Sequence, residues 1–142
     1  MSDLKIRPFQ PDEGEAVVDL WQRCGLVVSW NDPYDDIARK QGVQPENFLV
    51  GELQGQIVAA AMAGYDGHRG WIFYLAVDPV HQRKGFGRQI VDACEVRLRA
   101  MGCPKINVQI RESNLDAARF YESIGFSQDA VVGMGKRLVP DE

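Results

Sequence analysis

Leu75-Ala76-Val77-Asp78-Pro79-Val80-His81-Gln82-Arg83-Lys84-Gly85-Phe86-Gly87-Arg88 decides the fold of this chain. From Trp71 to Val77 every residue is apolar, which predicts an interior strand covered on both sides. Pro79 stops that strand. From Gly85 to Met101 the residues Phe86, Ile90, Cys94, Leu98 and Met101 form one apolar stripe, which predicts a long amphipathic helix. The segment between is therefore a strand-to-helix turn whose backbone N–H groups converge at a helix N-terminus. Gly85 and Gly87 remove Cβ atoms that would hold a phosphate away, and Arg83, Lys84 and Arg88 supply positive charge. Gln82 to Arg88 reads as an anion site. An ordinary turn needs none of these cations.

The flanking sequence supplies the remaining elements. Leu4 to Phe9 predicts a first strand, and Val17, Leu20, Trp21 and Cys24 recur at helical spacing after Asp12. Asn31-Asp32-Pro33 predicts the capped start of a second helix, with Asp35 and Asp36 suited to its dipole. Phe48–Leu53 and Gln56–Ala63 predict a hairpin across Gln54-Gly55. Ile106, Val108 and Ile110 alternate as a half-buried strand. Asn114 caps a helix carrying Ala117, Phe120, Tyr121 and Ile124 and closed by Gly125, and a last strand is expected from about Val131 to Leu138. This order predicts a mixed α/β (α+β) sandwich, taken as a single domain over residues 1–142.

Composition narrows the class. A net charge of −4 disfavours nucleic acid as a partner, so a bound anion must be held by local donors. No apolar stretch approaches the length of a membrane span, so no membrane partner is expected and the chain reads as cytoplasmic. Cys24, Cys94 and Cys103 form no CxxC pair and read as reduced thiols; no metal is expected. A dinucleotide fingerprint would require a third glycine where Ile90 stands, and a P-loop would require Gly-Lys-Ser/Thr; neither fits.

Gln82-x-x-Gly85-x-Gly87 after Leu75-Ala76-Val77-Asp78-Pro79 resembles the acetyl-CoA loop of the GNAT N-acetyltransferase superfamily. Asn114-x-x-Ala117-x-x-Phe120-Tyr121-x-x-x-Gly125-Phe126 matches that family's next signature, in the right order and spacing. The stretches 30–33 and 64–70 are similar to small bacterial YpeA-type members. The resemblance implies a central mixed sheet of about seven strands with helices on both faces. It also implies acetyl-CoA (coenzyme A) as cofactor, its pyrophosphate on the amides of Arg83, Lys84, Gly85, Phe86, Gly87 and Arg88. Its pantetheine would run beside Leu75, Ala76 and Val77 as an added strand. Gln82, Asn114 and Tyr121 complete the implied cofactor contacts.

The implied chemistry is acetyl transfer to a primary amine of a small molecule, amino acid or peptide N-terminus by direct attack in a ternary complex. Tyr121 is the general acid this implies, since a phenol of pKa ~10 suits a leaving thiolate of pKa ~8.5; core packing with Phe120 and Ile124 is the other reading. The backbone N–H near Ala76 is the implied oxyanion donor. His68 and Asp66, in the loop entering the central strand, are candidate bases, beside a plain surface turn or an ordered water. His81 belongs to the phosphate side or to solvent. Trp30, Asn31 and Tyr34 are candidate walls of the acceptor site, and either Phe73 or Tyr74 should line it, because alternation allows only one of the two. The rival function is a non-catalytic acyl-CoA sensor, which has no need of an acid at 121. Dimers are common in the family, so a homodimer is a candidate assembly.

Overall fold

The computed structural model describes residues 3–139, which form two compact units with the boundary after Val108. In the first unit β1 (Lys5–Pro8), β2 (Phe48–Leu53), β3 (Gln56–Tyr65), β4 (Gly70–Val77) and β5 (Ile106–Asn107) make one sheet in the order β1-β2-β3-β4-β5. Pairing is antiparallel as far as β4, and β5 runs parallel to β4. The helices are α1 (Gly14–Arg23), α2 (Pro33–Lys40) and α3 (Phe86–Ala100).

Local chemistry sets the boundaries. Before α1, the Gln10 N–H donates to Glu13 Oε1 at 2.9 Å, and Gly25 at φ 71° follows the helix. Asp32 Oδ1 accepts from the Tyr34 N–H at 2.9 Å, with Pro33 in the first helical position of α2. Gln54 and Gly55, at φ 52° and 82°, make the left-handed pair that a two-residue hairpin turn requires.

The core lies on both faces of the sheet. Val17, Val18, Leu20 and Trp21 of α1 pack on Phe48, Val50, Ala60, Met62 and Ala76. Alternation turns Leu49, Ala59, Ala61 and Ala63 to the opposite face, where α3 buries Phe86, Ile90, Val91, Cys94 and Leu98. Small residues from Ala59 to Ala63 let helices approach closely from either side. No helix among the described residues is long and apolar enough to cross a membrane.

The second unit holds α4 (Leu115–Ser123). Asn114 Oδ1 accepts from the Ala117 N–H at 3.1 Å. The Gly125 N–H donates to Glu122 O at 3.2 Å and the Phe126 N–H to Tyr121 O at 3.0 Å, a Schellman closure with Gly125 at φ 103°.

Three expectations are corrected. The sheet has five strands among the described residues rather than about seven: Ile106–Ile110 pairs only over Ile106–Asn107, and Val131–Leu138 is irregular and exposed, with no ladder to make it a strand. β4 is not covered on both sides, since Phe73 is 49% exposed. Met101 lies beyond the end of α3 and is exposed, so the buried stripe ends at Leu98 and includes Val91.

Candidate active site

The site begins with a break in the register of β4. Phe73 pairs with Met62 and Ala76 with Ala60, so Ala61 faces two residues, Tyr74 and Leu75. Tyr74 adopts φ 56°, a left-handed conformation inside a strand. Such a conformation costs about 1–2 kcal/mol in a non-glycine residue and needs surrounding contacts to hold it. Those contacts are present. The Tyr74 ring stacks on Trp21 with centroids 4.0 Å apart, its hydroxyl donates to Asp36 Oδ2 at 2.5 Å, and Asn31 Nδ2 donates to that hydroxyl at 2.7 Å. Asn31 also donates to Asp36 Oδ2. Burial first, and Asp36 second, push the phenol above its ordinary pKa.

The bulge reverses the phase of the strand. Before it, Trp71 and Phe73 share a face, their rings 6.1 Å apart; after it, Tyr74 and Ala76 share that face. Phe73 and Tyr74 therefore both line one cavity, which simple alternation forbids.

Beyond the bulge one edge of β4 is open. β5 pairs only with Gly70 and Trp71, and no strand among the described residues continues along Leu75–Val77. The Asp78 N–H donates to Val58 O at 2.8 Å, so antiparallel alternation turns the Ala76 N–H inward to Ala60 and the Leu75 and Val77 N–H groups outward. The outward donor expected near Ala76 is thus on its neighbours. Val77 O is occupied: Cys24 Sγ donates to it at 3.3 Å and Gln82 Nε2 at 3.2 Å, which ties the loop to the strand.

The loop follows a short turn at Pro79–His81, whose Asp78 carboxylate accepts from the Val80 N–H at 3.1 Å. Arg83 and Gly85 are left-handed at φ 67° and 82°, and a Cβ built on Gly85 would meet nothing within 4 Å. The first N–H groups of α3 have no acceptor in their own helix. Gln82, Arg83, Lys84, Gly85 and Arg88 are exposed around them, while Phe86 is buried as the anchor. Lys84 Nζ lies 3.1 Å from His81 Nδ1. These donors could hold a diphosphate, and the open β4 edge could hold an extended amide-containing arm.

A cavity of about 500 Å³ lies between α2 and the ends of β3 and β4. Met62, Trp71, Phe73 and Tyr74 give it an apolar wall, and Asp36, Arg39, Lys40 and Asp66 are its charged groups. Asp66 serves its own turn: Oδ1 accepts from the N–H groups of His68 and Arg69, both at 2.8 Å, and Oδ2 from Trp71 Nε1 at 3.3 Å. Those backbone donors hold its pKa below the usual carboxylate value, which favours the ionised form. His68 is exposed and does not line the cavity. Of the expected acceptor-site residues, Tyr74 lines the cavity and Asn31 anchors Tyr74. Trp30 and Tyr34 are exposed outside it.

Asp36, Arg39 and Lys40 were missed by sequence reading. Asp36 read only as a helix-dipole residue, and nothing in a linear pattern says that α2 lies beside β4. In the second unit Tyr121 is 7% exposed and makes edge contacts with Phe120 and Phe126, both with centroids 5.2 Å apart.

Comparison with known proteins agrees with this geometry. The acetyltransferase (GNAT) family profile matches residues 14–126. An acetyltransferase of Yersinia pestis (strain Pestoides F) is 43% identical over 139 residues, covering 98% of this chain and 99% of its own. Ard1 from Thermoplasma volcanium superimposes with a TM-score of 0.78 at 26% identity, over 91% of this chain and 86% of its own. The ribosomal-protein-S18-alanine N-acetyltransferase from Escherichia coli does so with a TM-score of 0.74 at 25% identity, over 89% and 79%. With the family profile covering residues 14–126 and a relative 43% identical over nearly its whole length, the chain belongs to the acetyltransferase (GNAT) family of acyl-CoA-dependent N-acyltransferases.

Proposed function

We propose that the protein transfers an acetyl group from acetyl-CoA to a primary amine of a small molecule, an amino acid or a peptide N-terminus. The open edge of β4 beside the cationic loop carries this reading, because the two together match the chemistry of an anionic cofactor with an amide arm. The first N–H groups of α3, with Arg83, Lys84 and Arg88, would hold the diphosphate. The Leu75 and Val77 N–H groups would meet the pantetheine amides as an added strand does. Acetyl-CoA supplies an activated acetyl thioester.

This chain's residues supply orientation and proton management. Leu75 N–H, outward-facing next to the bulge and following Phe73 and Tyr74 of the cavity wall in the chain, would stabilise charge on a carbonyl oxygen. Tyr121 is the proposed acid for the departing thiolate, on the strength of its position in the second signature. Asp66, held ionised by its own turn, suits attraction of an ammonium to the cavity rim more than proton abstraction. The family resemblance to an enzyme named for alanine N-acetylation supports keeping peptide N-termini among the acceptors.

The test is release of free coenzyme A thiol from acetyl-CoA against a broad amine panel. Acceptor-dependent release, with an acetylated product by mass spectrometry, is expected. Tight acetyl-CoA binding without release for any amine would favour a sensor instead.

A further inference from the structure

We propose that the cavity beside α2 selects acceptors bearing a carboxylate, which pairs with Lys40; this rests on the transferase reading above and names its substrate class. Charge accounting within the cavity carries the inference. Asp36 is satisfied: Oδ1 accepts from Arg39 at 3.1 Å, and Oδ2 accepts from both Tyr74 and Asn31. Asp66 is satisfied by its turn and by Trp71. Lys40 differs. Its Nζ donates to the neutral Ala63 carbonyl at 2.5 Å, and no carboxylate among the described residues lies within ion-pair distance of it.

An ammonium has three donors, so two remain to serve a ligand. Glu46 favours the charge only through space, and burial depresses the lysine pKa. A half-buried cation in apolar surroundings is costly unless an anion meets it. On the strand side Gly64 adds no side chain beside it; a Cβ there would lie 3.5 Å from Nζ and 3.6 Å from Gln44 Oε1.

The remaining dimensions suit a small zwitterion. A volume of about 500 Å³ lies in the range of small-molecule sites. The carboxylate would sit at the Lys40 and Gly64 end, an apolar body against Met62, Phe73 and Trp71, and the amine toward Tyr74, next to the outward-facing Leu75. A free amino acid or an amino-terminal carboxylic acid of similar length has this layout.

The experiment compares the twenty amino acids, their carboxamides and the corresponding decarboxylated amines, using the wild type, Lys40→Met and Lys40→Arg. The wild type should acetylate at least one free acid with kcat/KM about tenfold or more above its amide. Lys40→Met should abolish that preference by raising KM for the acid, leaving the amide unchanged, and Lys40→Arg should restore much of it. If the lysine only pins α2 to β3, Lys40→Met will depress acid and amide together with the melting temperature, which overturns the proposal. Equal use of acid and amide by the wild type also overturns it. Should no compound release thiol, calorimetric titration of the coenzyme A-loaded protein separates the two ideas. Acid binding lost in Lys40→Met supports the carboxylate site while the transfer reading falls, and absence of binding by any acid overturns the site.

Discussion

The Tyr74 hydroxyl donates to Asp36 Oδ2 at 2.5 Å, linking the left-handed residue of β4 to α2 across 38 positions of sequence. This contact joins two walls of the cavity beside α2 and holds the bulge that turns Leu75 N–H outward. Tyr74→Phe keeps the stack on Trp21 but leaves Asp36 and Asn31 without the phenol. A loss of about 1–2 kcal/mol in denaturant unfolding is expected. Turnover should fall more than acetyl-CoA affinity does, because the loop is untouched. An unchanged unfolding midpoint would show that the bulge does not depend on this contact.

The same phenol predicts a pH effect at the alkaline end. Its folded pKa is raised above the ordinary 10.0, so its contribution to stability is complete below pH 10 and is lost as pH rises toward the folded value. Ultraviolet difference titration should show a phenol ionisation displaced to higher pH, and Tyr74→Phe should remove it. Retention of that ionisation in Tyr74→Phe would contradict the assignment.

Gly85→Ala tests the loop. Space is not the obstacle, since a Cβ there meets nothing within 4 Å, but φ 82° is strained for alanine by about 1–2 kcal/mol. The methyl would also project near the donors proposed for the diphosphate. Acetyl-CoA affinity should weaken by about tenfold or more, while Gly85→Asn, which tolerates left-handed backbone, should keep more stability. Equal cofactor affinity in Gly85→Ala and wild type, by calorimetry, would remove the loop from the binding site.

Tyr121→Phe should lower kcat by about 10²-fold or more if the hydroxyl is the proton donor, with acetyl-CoA affinity little changed. Its edge contacts with Phe120 and Phe126 involve the ring and survive the substitution. Steady-state kinetics with an identified acceptor decides it, and wild-type turnover in the variant would leave Tyr121 as a packing residue.

Acid stability should depend on Arg7, whose guanidinium meets Glu13 Oε2 at 2.6 Å and Glu52 Oε1 at 2.8 Å. Its hydrogen bond is the main cause holding the Glu13 pKa below 4.5. The sign follows: this stabilisation is complete above pH 4.5 and is lost as pH falls through the depressed value. Arg7→Met should cost about 1 kcal/mol near neutrality and flatten the acid limb of the stability curve. An unaltered acid limb in urea titrations from pH 3 to 7 would refute the role of the pair.

Sequence alone determined the features that depend on neighbours along the chain. The cap at Asp32, the glycine loop at 82–88, the Asn114 start and the Gly125 close of α4 are each written within a few residues, because caps and turns are satisfied locally. The same locality made two signatures and the family recognisable. The acceptor side followed other rules. Alternation could not foresee that Phe73 and Tyr74 share a face, because a bulge is a mismatch between two strands and does not reside in either one. Asp36 looked like a helix-dipole residue, and Lys40 carried no signal, until α2 was laid beside β3 and β4. Only tertiary structure decided which carboxylates are already spent on protein donors and which cation is left facing the cavity, because partners separated by dozens of residues meet only when the chain has folded.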